Sequence, residues 1–527
     1  MSPFPHPWWY PYSGVGPQPK CVNEWHIIDI SNAIRSKPDW QTKYKNPEIV
    51  GKWRKEAIGQ LDSEEKEEIF DYVLKELEWY DKLTKDLKDY KIECDDKIIS
   101  GNPVPDLIRT ELLEEVSKFT QSKKKDYHPN SNNQVVDIVH PSLFPLQYGK
   151  TPIIKGAGYE IVQFDDSISK VKKTVDSWGI SKNYQWLPSL WTLENDNFKI
   201  SSYVNNLPPK NKDLYEIIEK VFNCSIDGLN YVLSRYQSPE VLRIDYGGYG
   251  EGYTEEKDKK YDELQAKIDK LEEETGEVDW DLYDEFEEEI KGQYLKKLIP
   301  KCEQDPITEP FNLKNHKDLK VIVKLADIEL TPENPIYKGG SWHVEGTINE
   351  DIVATILYYY DIDNITESKL SFRTSFQDPP YEQNDTLYCE KLFNLHDGDP
   401  MVRHFGSVTA DEGKIVIFPN SFQHHVDYFQ LKDNTKPGVR RILCFFLVDP
   451  HNEIVKTTKD VPPQQQEWWD DNEIDLIPDS IRSKEKPMSL KDAEEVRAKL
   501  MEERSTLESG DDDDMQPYSR GFSLCEH

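Results

Sequence analysis

A chain of 527 residues, 36% hydrophobic and 11% aromatic, is long enough for two or three domains and has the bulky side chains to fill a large core. Its formal charge of −34, from 99 acidic against 65 basic residues, argues against nucleic acid as the main partner, because that binding rests on Lys and Arg neutralising phosphates. Anionic membrane surfaces are disfavoured by the same repulsion. No run approaches the roughly 18 uncharged apolar residues that a membrane span requires, so no membrane association is expected.

Residues 1–20 read as an extended arm rich in Pro and aromatics, without the basic region and apolar run of a secretory signal. Residues 21–130 read as a helical N-terminal region. Its clearest helix is expected to open at Asp62, with Asp62 and Glu65 at capping-box spacing. Ile69, Phe70, Val73, Leu74, Leu77 and Tyr80 then form a stripe at helical period. A second helix is expected over Pro105–Phe119, and the polar stretch Ser122–Asn133 reads as a linker. Short strands are expected at Val135–Val139, Ile153–Ile154, Tyr159–Phe164 and Ile200–Val204, with a helix at Lys212–Phe222.

Residues 251–296 turn densely charged and read as a solvated helical insertion, with Leu264, Ile268 and Leu271 on one helix and Trp280 to Ile290 on a second. The strand signal is strongest from Leu319 to Pro450: Val321–Leu325, Ile352–Tyr360, Leu370–Phe372, Lys414–Phe418 and Arg440–Val448. Several of these are apolar on both faces, as in strands covered on both sides. Residues 456–527 read as a polar, partly disordered extension, with a charged helix at Ser489–Glu503 and an acidic run at Asp511–Asp514. The cysteines number seven, and none has metal-ligand or CxxC spacing. A reducing compartment is the expectation, cytoplasmic with the nucleus as the alternative.

One segment pairs chemistry with spacing. In Gly339-Gly340-Ser341-Trp342-His343-Val344-Glu345-Gly346, an extended backbone sets His343 and Glu345 on one face. A second imidazole follows at His424, after the strand Lys414–Phe418. Two neutral imidazoles and one carboxylate form a facial triad with open positions, a donor set that favours iron(II). His425 competes with His424, since neighbouring side chains of an extended segment point to opposite sides. Arg440 opens an apolar strand, where an arginine needs a partner. A dicarboxylate is one such partner, held by the planar guanidinium fork. An ion pair with Asp361 is the plain alternative, and Arg441 or Arg373 could serve as anchor instead. His140 reads as a satisfied core histidine, and Tyr358–Tyr360 as packing.

The order His-x-acid, distant His, then Arg on the next strand resembles that of 2-oxoglutarate-dependent oxygenases. The stretches VVDIVHPSLFPLQYGKT (135–151), QWLPSLW (185–191), FKISSYVNNLPP (198–209), VIVKLADIELTPENPIYKGGSWHVEGTINEDIVATILYYYD (321–361), KLSFR (369–373) and, within 413–450, GKIVIFPNSFQHHV and GVRRILCFFLVDP resemble the domain-of-unknown-function family numbered 4246, found chiefly in fungi. That resemblance implies an α+β chain. Its core would be a double-stranded β-helix (jelly-roll, cupin-like) over 131–455, joined to the helical N-terminal region and carrying the charged insertion. It implies His343, Glu345 and His424 as iron ligands by position. It names no substrate, which is left as a small molecule or a protein side chain. The chain departs from the family's usual QHRV at Gln423-His424-His425-Val426, where His425 is the odd residue. The expected function is an iron(II)/2-oxoglutarate-dependent oxygenase with Arg440 on the cosubstrate. The alternatives are an inactive β-helix scaffold and a cupin-like metal dioxygenase that does not use 2-oxoglutarate. Oligomeric state is unreadable.

Overall fold

The computed structural model describes residues 3–5, 8, 16–61, 63–121, 123–165, 179–238, 240, 242–248, 254–276, 299–300, 310–381, 386–470, 476–509 and 521–522. The helices that matter for the site are Val22–Arg35 (α1), Lys66–Asp86 (α2), Asp106–Thr120 (α3), Lys212–Cys224 (α4), Ile226–Gln237 (α5), Glu255–Thr275 (α6) and Leu490–Ser509 (α7). Their periodicity explains them. On α2 the stripe Ile69, Phe70, Val73, Leu77 and Tyr80 is buried, three or four residues apart as one helix face requires. The helix starts at Lys66, later than the capping box predicts: the Ser63 hydroxyl accepts the Glu65 N–H at 3.1 Å, and Asp62 lies outside the described residues. On α6 Leu264 is buried and Leu271 exposed. The second helix expected at Trp280–Ile290 and the acidic run Asp511–Asp514 lie outside the described residues.

The strands around the site are Asp126–Tyr127 (β1), Val135–Val139 (β2), Asp318–Leu330 (β3), Ile352–Asp363 (β4), Ser368–Ser375 (β5), Val402–Ala410 (β6), Ile415–Pro419 (β7), Gln423–Val426 (β8) and Gly438–Val448 (β9). A large antiparallel sheet runs in the order β7, β4, β9, β3, β2, β1, with Ile99–Gly101 beside β7. A second sheet runs β6, β5, β8. The stretch expected to be a linker, Ser122–Asn133, contains β1, whose Asp126 and Tyr127 pair with Asp137 and Val136. Paired backbone there outweighs the polar composition. The strand expected at Ile200–Val204 sits earlier, at Asn197–Ile200.

Central strands have both faces covered, which is why Ile352–Tyr360 is buried at every position. One face of the large sheet packs on helices: Trp191, Phe222 and Phe445 meet there, with ring centroids 4.6 Å (Trp191–Phe222) and 5.3 Å (Phe222–Phe445) apart. At Gly228 on α5 a Cβ would lie 2.7 Å from Ile417 Cδ1, so a glycine lets α5 settle on β7. The opposite face, with Leu357, Tyr359, Cys444 and Phe446, packs with Leu370, Phe372, Phe405 and Val408 of the second sheet. The result is a mixed α+β chain with a sheet-on-sheet core. Among the described residues no helix is long and apolar enough to cross a membrane.

Candidate metal centre

His343 and Glu345 do not lie in a strand, contrary to the expectation. They sit in an irregular segment tied to β8 by a single bridge, in which His343 and His424 exchange backbone hydrogen bonds of 3.2 and 3.0 Å. Glycines break the strand on either side, with Gly339 at φ 101° and Gly346 at φ 72°, values that other residues rarely adopt. Glu345 is aimed by a clamp instead of a pleat: the Asn420 side chain accepts its N–H and donates to its carbonyl, both at 2.8 Å.

The bridge brings the three expected ligands together. Glu345 Oε1 lies 3.6 Å from His343 Nε2 and 3.5 Å from His424 Nε2. Ligands at right angles around one ion, each about 2.1 Å from it, are about 3 Å apart, so a half-ångström adjustment suffices. Tautomers fit as well. His343 Nδ1 is 2.9 Å from the Ser341 carbonyl, an acceptor, so Nδ1 carries the proton and Nε2 keeps its lone pair. His424 is buried and its Nδ1 makes no hydrogen bond of normal geometry. Burial pushes the Glu345 carboxyl up, but the two imidazoles facing it and the Lys324 ammonium outweigh burial and hold the acid well below its usual range. Burial and the neighbouring His343 push the His424 imidazole down. The donors are thus in the states that bind a cation.

His425 points away from this cluster, its Nε2 3.1 Å from Asp427 and its ring 4.0 Å from Trp342. Of the three candidate anchors, Arg441 is taken up by Asp361 at 2.5 Å and Asp327 at 3.1 Å. Arg373 donates to Gln423 at 2.6 Å and covers the Trp342 ring. Arg440 is different. It is 1% exposed, its Nε has no hydrogen-bond partner, and no carboxylate pairs with it among the described residues. It lies over the Tyr359 ring at 4.8 Å and lines a cavity of about 1070 Å³ together with His343, Glu345 and His424.

Two further groups in this region were not legible as site residues. Lys324, opposite Cys444 on the same sheet face, lines the cavity. Burial pushes its ammonium down, yet the Glu345 and Asp137 carboxylates outweigh burial and raise it, so it stays charged. The signal was available: a lysine inside the apolar run Val321–Leu325 is as anomalous as Arg440.

The second group is a cluster of the same composition. His128, Asp137 and His140 place donor atoms within 4.8 Å of one another, as the first triad does, and both histidines line the same cavity. Its chemistry is not that of a cation site. The Ser142 N–H points at His140 Nδ1 at 3.2 Å, which puts the His140 proton on Nε2. Asp137 accepts from His128 Nδ1 at 2.9 Å and has Arg497 at 3.6 Å. Burial pushes His140 down to about 3, so it is neutral, as a ligand would also be; the Ser142 N–H on its Nδ1 and the Arg497 guanidinium beside Asp137 are what set this cluster apart.

Compared with known proteins, residues 67–472 match the family described as "Protein of unknown function (DUF4246)", and residues 1–56 match its N-terminal domain. The chain therefore belongs to this family. No curated protein matches it. Among solved structures, IDO from Bacillus thuringiensis is similar at 12% identity over 25% of this chain and 46% of that one, with a TM-score of 0.17. The Fe(II)/(alpha)ketoglutarate-dependent dioxygenase TqaL is similar at 14% identity over 32% and 52%, also with a TM-score of 0.17. AviO1 from Streptomyces viridochromogenes Tue57 reaches 14% over 25% and 52%, with a TM-score of 0.14. The chain spans about half the length of these structures, and at such scores no functional conclusion passes from them.

Proposed function

We propose that this member of the family is a mononuclear iron(II) oxygenase that uses 2-oxoglutarate, built on a jelly-roll core whose two sheets enclose the site. His343, Glu345 and His424 would hold the iron through Nε2, carboxylate oxygen and Nε2. The observation that carries the proposal is the convergence of both Nε2 atoms on Glu345 Oε1, in a cavity that also holds the buried guanidinium of Arg440, which no carboxylate among the described residues pairs. Two imidazoles and a carboxylate on one side of an ion suit iron(II) with open positions. Iron(II) with 2-oxoglutarate, when bound, supplies the oxidative decarboxylation that introduces oxygen at a substrate C–H bond.

The chain's own residues do the rest. The Ser341 carbonyl holds His343 in the ligating tautomer, and Asn420 fixes the backbone from which Glu345 projects. Arg440 offers a paired fork to the far carboxylate of the cosubstrate, while the Lys324 ammonium lowers the cost of a dianion beside Glu345. Leu357, Leu370 and Ile442 line the same cavity and exclude water from the charged groups, which strengthens their interaction.

The test is anaerobic addition of iron(II) and then 2-oxoglutarate to the full chain. A metal-to-ligand charge-transfer band that appears only with both, followed by succinate on admitting air, is the expected result. Iron binding without either signal would leave a metal dioxygenase of another kind, and no iron binding would leave a scaffold.

A further inference from the structure

Arg504, on α7, lines the same cavity and is only partly satisfied. One guanidinium nitrogen donates to Glu350 at 2.7 Å, and the group stacks on the Trp186 ring at 4.0 Å. Its Nε and Nη1 are buried, and among the described residues neither has a hydrogen-bond partner. Glu350 has nothing left to give them. One of its oxygens accepts from Arg504 and from the Trp186 N–H at 2.6 Å, the other from the Thr347 N–H at 2.6 Å and the Thr347 hydroxyl at 2.8 Å. A carboxylate has about four acceptor positions, and all are used. Buried charged donors left unmatched are costly, so the side of Arg504 turned from Glu350 favours an acceptor.

The surroundings say what kind. Among the described residues, the charged side chains lining the cavity are Lys324, Lys338, Arg440 and Arg504 against one carboxylate, that of Glu345, in a chain of net charge −34. The basic groups also stand at different levels. Trp186, under Arg504, stacks on Phe446 with centroids 6.1 Å apart. Phe446 is six residues along β9 from Arg440, on the order of 20 Å at strand rise. The two guanidiniums therefore enter the cavity beside strand positions several residues apart.

We propose that Arg504 is an anion-recognition point for the primary substrate, which is an organic acid or phosphate ester held at α7 by its charge. The assignment of the ligand as substrate rests on the oxygenase reading; the anion site itself does not.

The experiment uses the full chain loaded with Mn(II) and saturating 2-oxoglutarate, titrated calorimetrically with inorganic phosphate and, separately, with acetate. One or both should bind at one equivalent, and which one does distinguishes phosphate ester from carboxylic acid. Arg504→Lys keeps a charge against Glu350 but removes the fork, and should weaken that binding about tenfold, the loss of one charge-assisted hydrogen bond. It should leave 2-oxoglutarate affinity unchanged, whereas Arg440→Gln should do the reverse. Failure of both anions to bind overturns the proposal, as does equal weakening of one ligand by both variants. Phosphate or acetate binding that depends on Arg504 in a protein that takes no Mn(II) or 2-oxoglutarate would sink the oxygenase and spare the anion site. Should Arg504→Lys not fold, wild-type crystals soaked in arsenate and, separately, in bromoacetate decide: an anomalous peak beside Arg504 in either supports the proposal, and none in both overturns it.

Discussion

Two clusters in one cavity share the same inventory, two histidines and one carboxylate, yet differ in what they are prepared to bind. At His343, Glu345 and His424 the carboxylate faces two imidazole Nε2 atoms, and the described residues place no Lys or Arg within ion-pair distance of it. At His128, Asp137 and His140 the carboxylate has Arg497 at 3.6 Å, and a backbone N–H occupies the lone pair of His140 Nδ1. Composition alone therefore does not define a metal site. The tautomer imposed by neighbouring backbone groups, and whether a cation already balances the acid, decide between ligand set and structural hydrogen-bond network.

The sharpest break in this comparison comes from paired substitutions. His343→Ala should remove stoichiometric iron binding altogether, while Asp137→Asn should retain one equivalent, both read by metal analysis after anaerobic loading. Equal losses in the two variants would erase the distinction. Arg440→Gln is expected to weaken 2-oxoglutarate binding about a hundredfold or more, as for truncation of one partner of a buried charge pair, with iron affinity unchanged in the same titration.

The second cluster makes its own prediction through pH. His140 is shifted down from 6.5 to about 3, chiefly by burial, so the unfolded chain binds a proton there that the folded chain refuses. Its contribution is fully present above pH 6.5 and is lost as pH falls toward 3, by about 1.4 kcal/mol per pH unit at most. Urea midpoints measured from pH 7 to 4 should fall, and His140→Gln should flatten that fall by close to one proton. An unchanged slope would mean that His140 is already protonated or exposed. The smallest effect is expected at His425, whose contacts are to Asp427 and Trp342. His425→Gln should keep full iron occupancy and cost about 1 kcal/mol or less; loss of iron would exchange the roles of the two adjacent histidines.

Legibility in the sequence followed the range of the interactions. The buried strands and α2 could be read because hydrophobic period is local, and the His343–Glu345 pair because two residues apart suffices to share a side. That pair was right about proximity for a reason other than the expected one: the segment is not a strand, and the Asn420 clamp, 75 residues away, aims Glu345. Choosing between Arg440, Arg441 and Arg373 needed partners that only tertiary structure supplies, Asp327 and Asp361 for one and Gln423 for another. Lys324 and Asp137 carried a signal, a charge inside an apolar strand, that was as strong as that of Arg440. On α7 the stripe Ala493, Arg497, Leu500, Met501 and Arg504 lies inside what reads as a charged helix of a polar extension, where two arginines mask a face that in part lines the cavity. Nothing local reveals that Glu350 is already saturated.

On this geometry one cation belongs between His343, Glu345 and His424 and none at His128, Asp137 and His140. Crystals grown anaerobically with iron(II), measured at the iron absorption edge, address it directly. A single anomalous peak within about 2–2.3 Å of both Nε2 atoms and the Glu345 carboxylate is expected. A peak at the second cluster, or a loaded protein with density at neither, would contradict it.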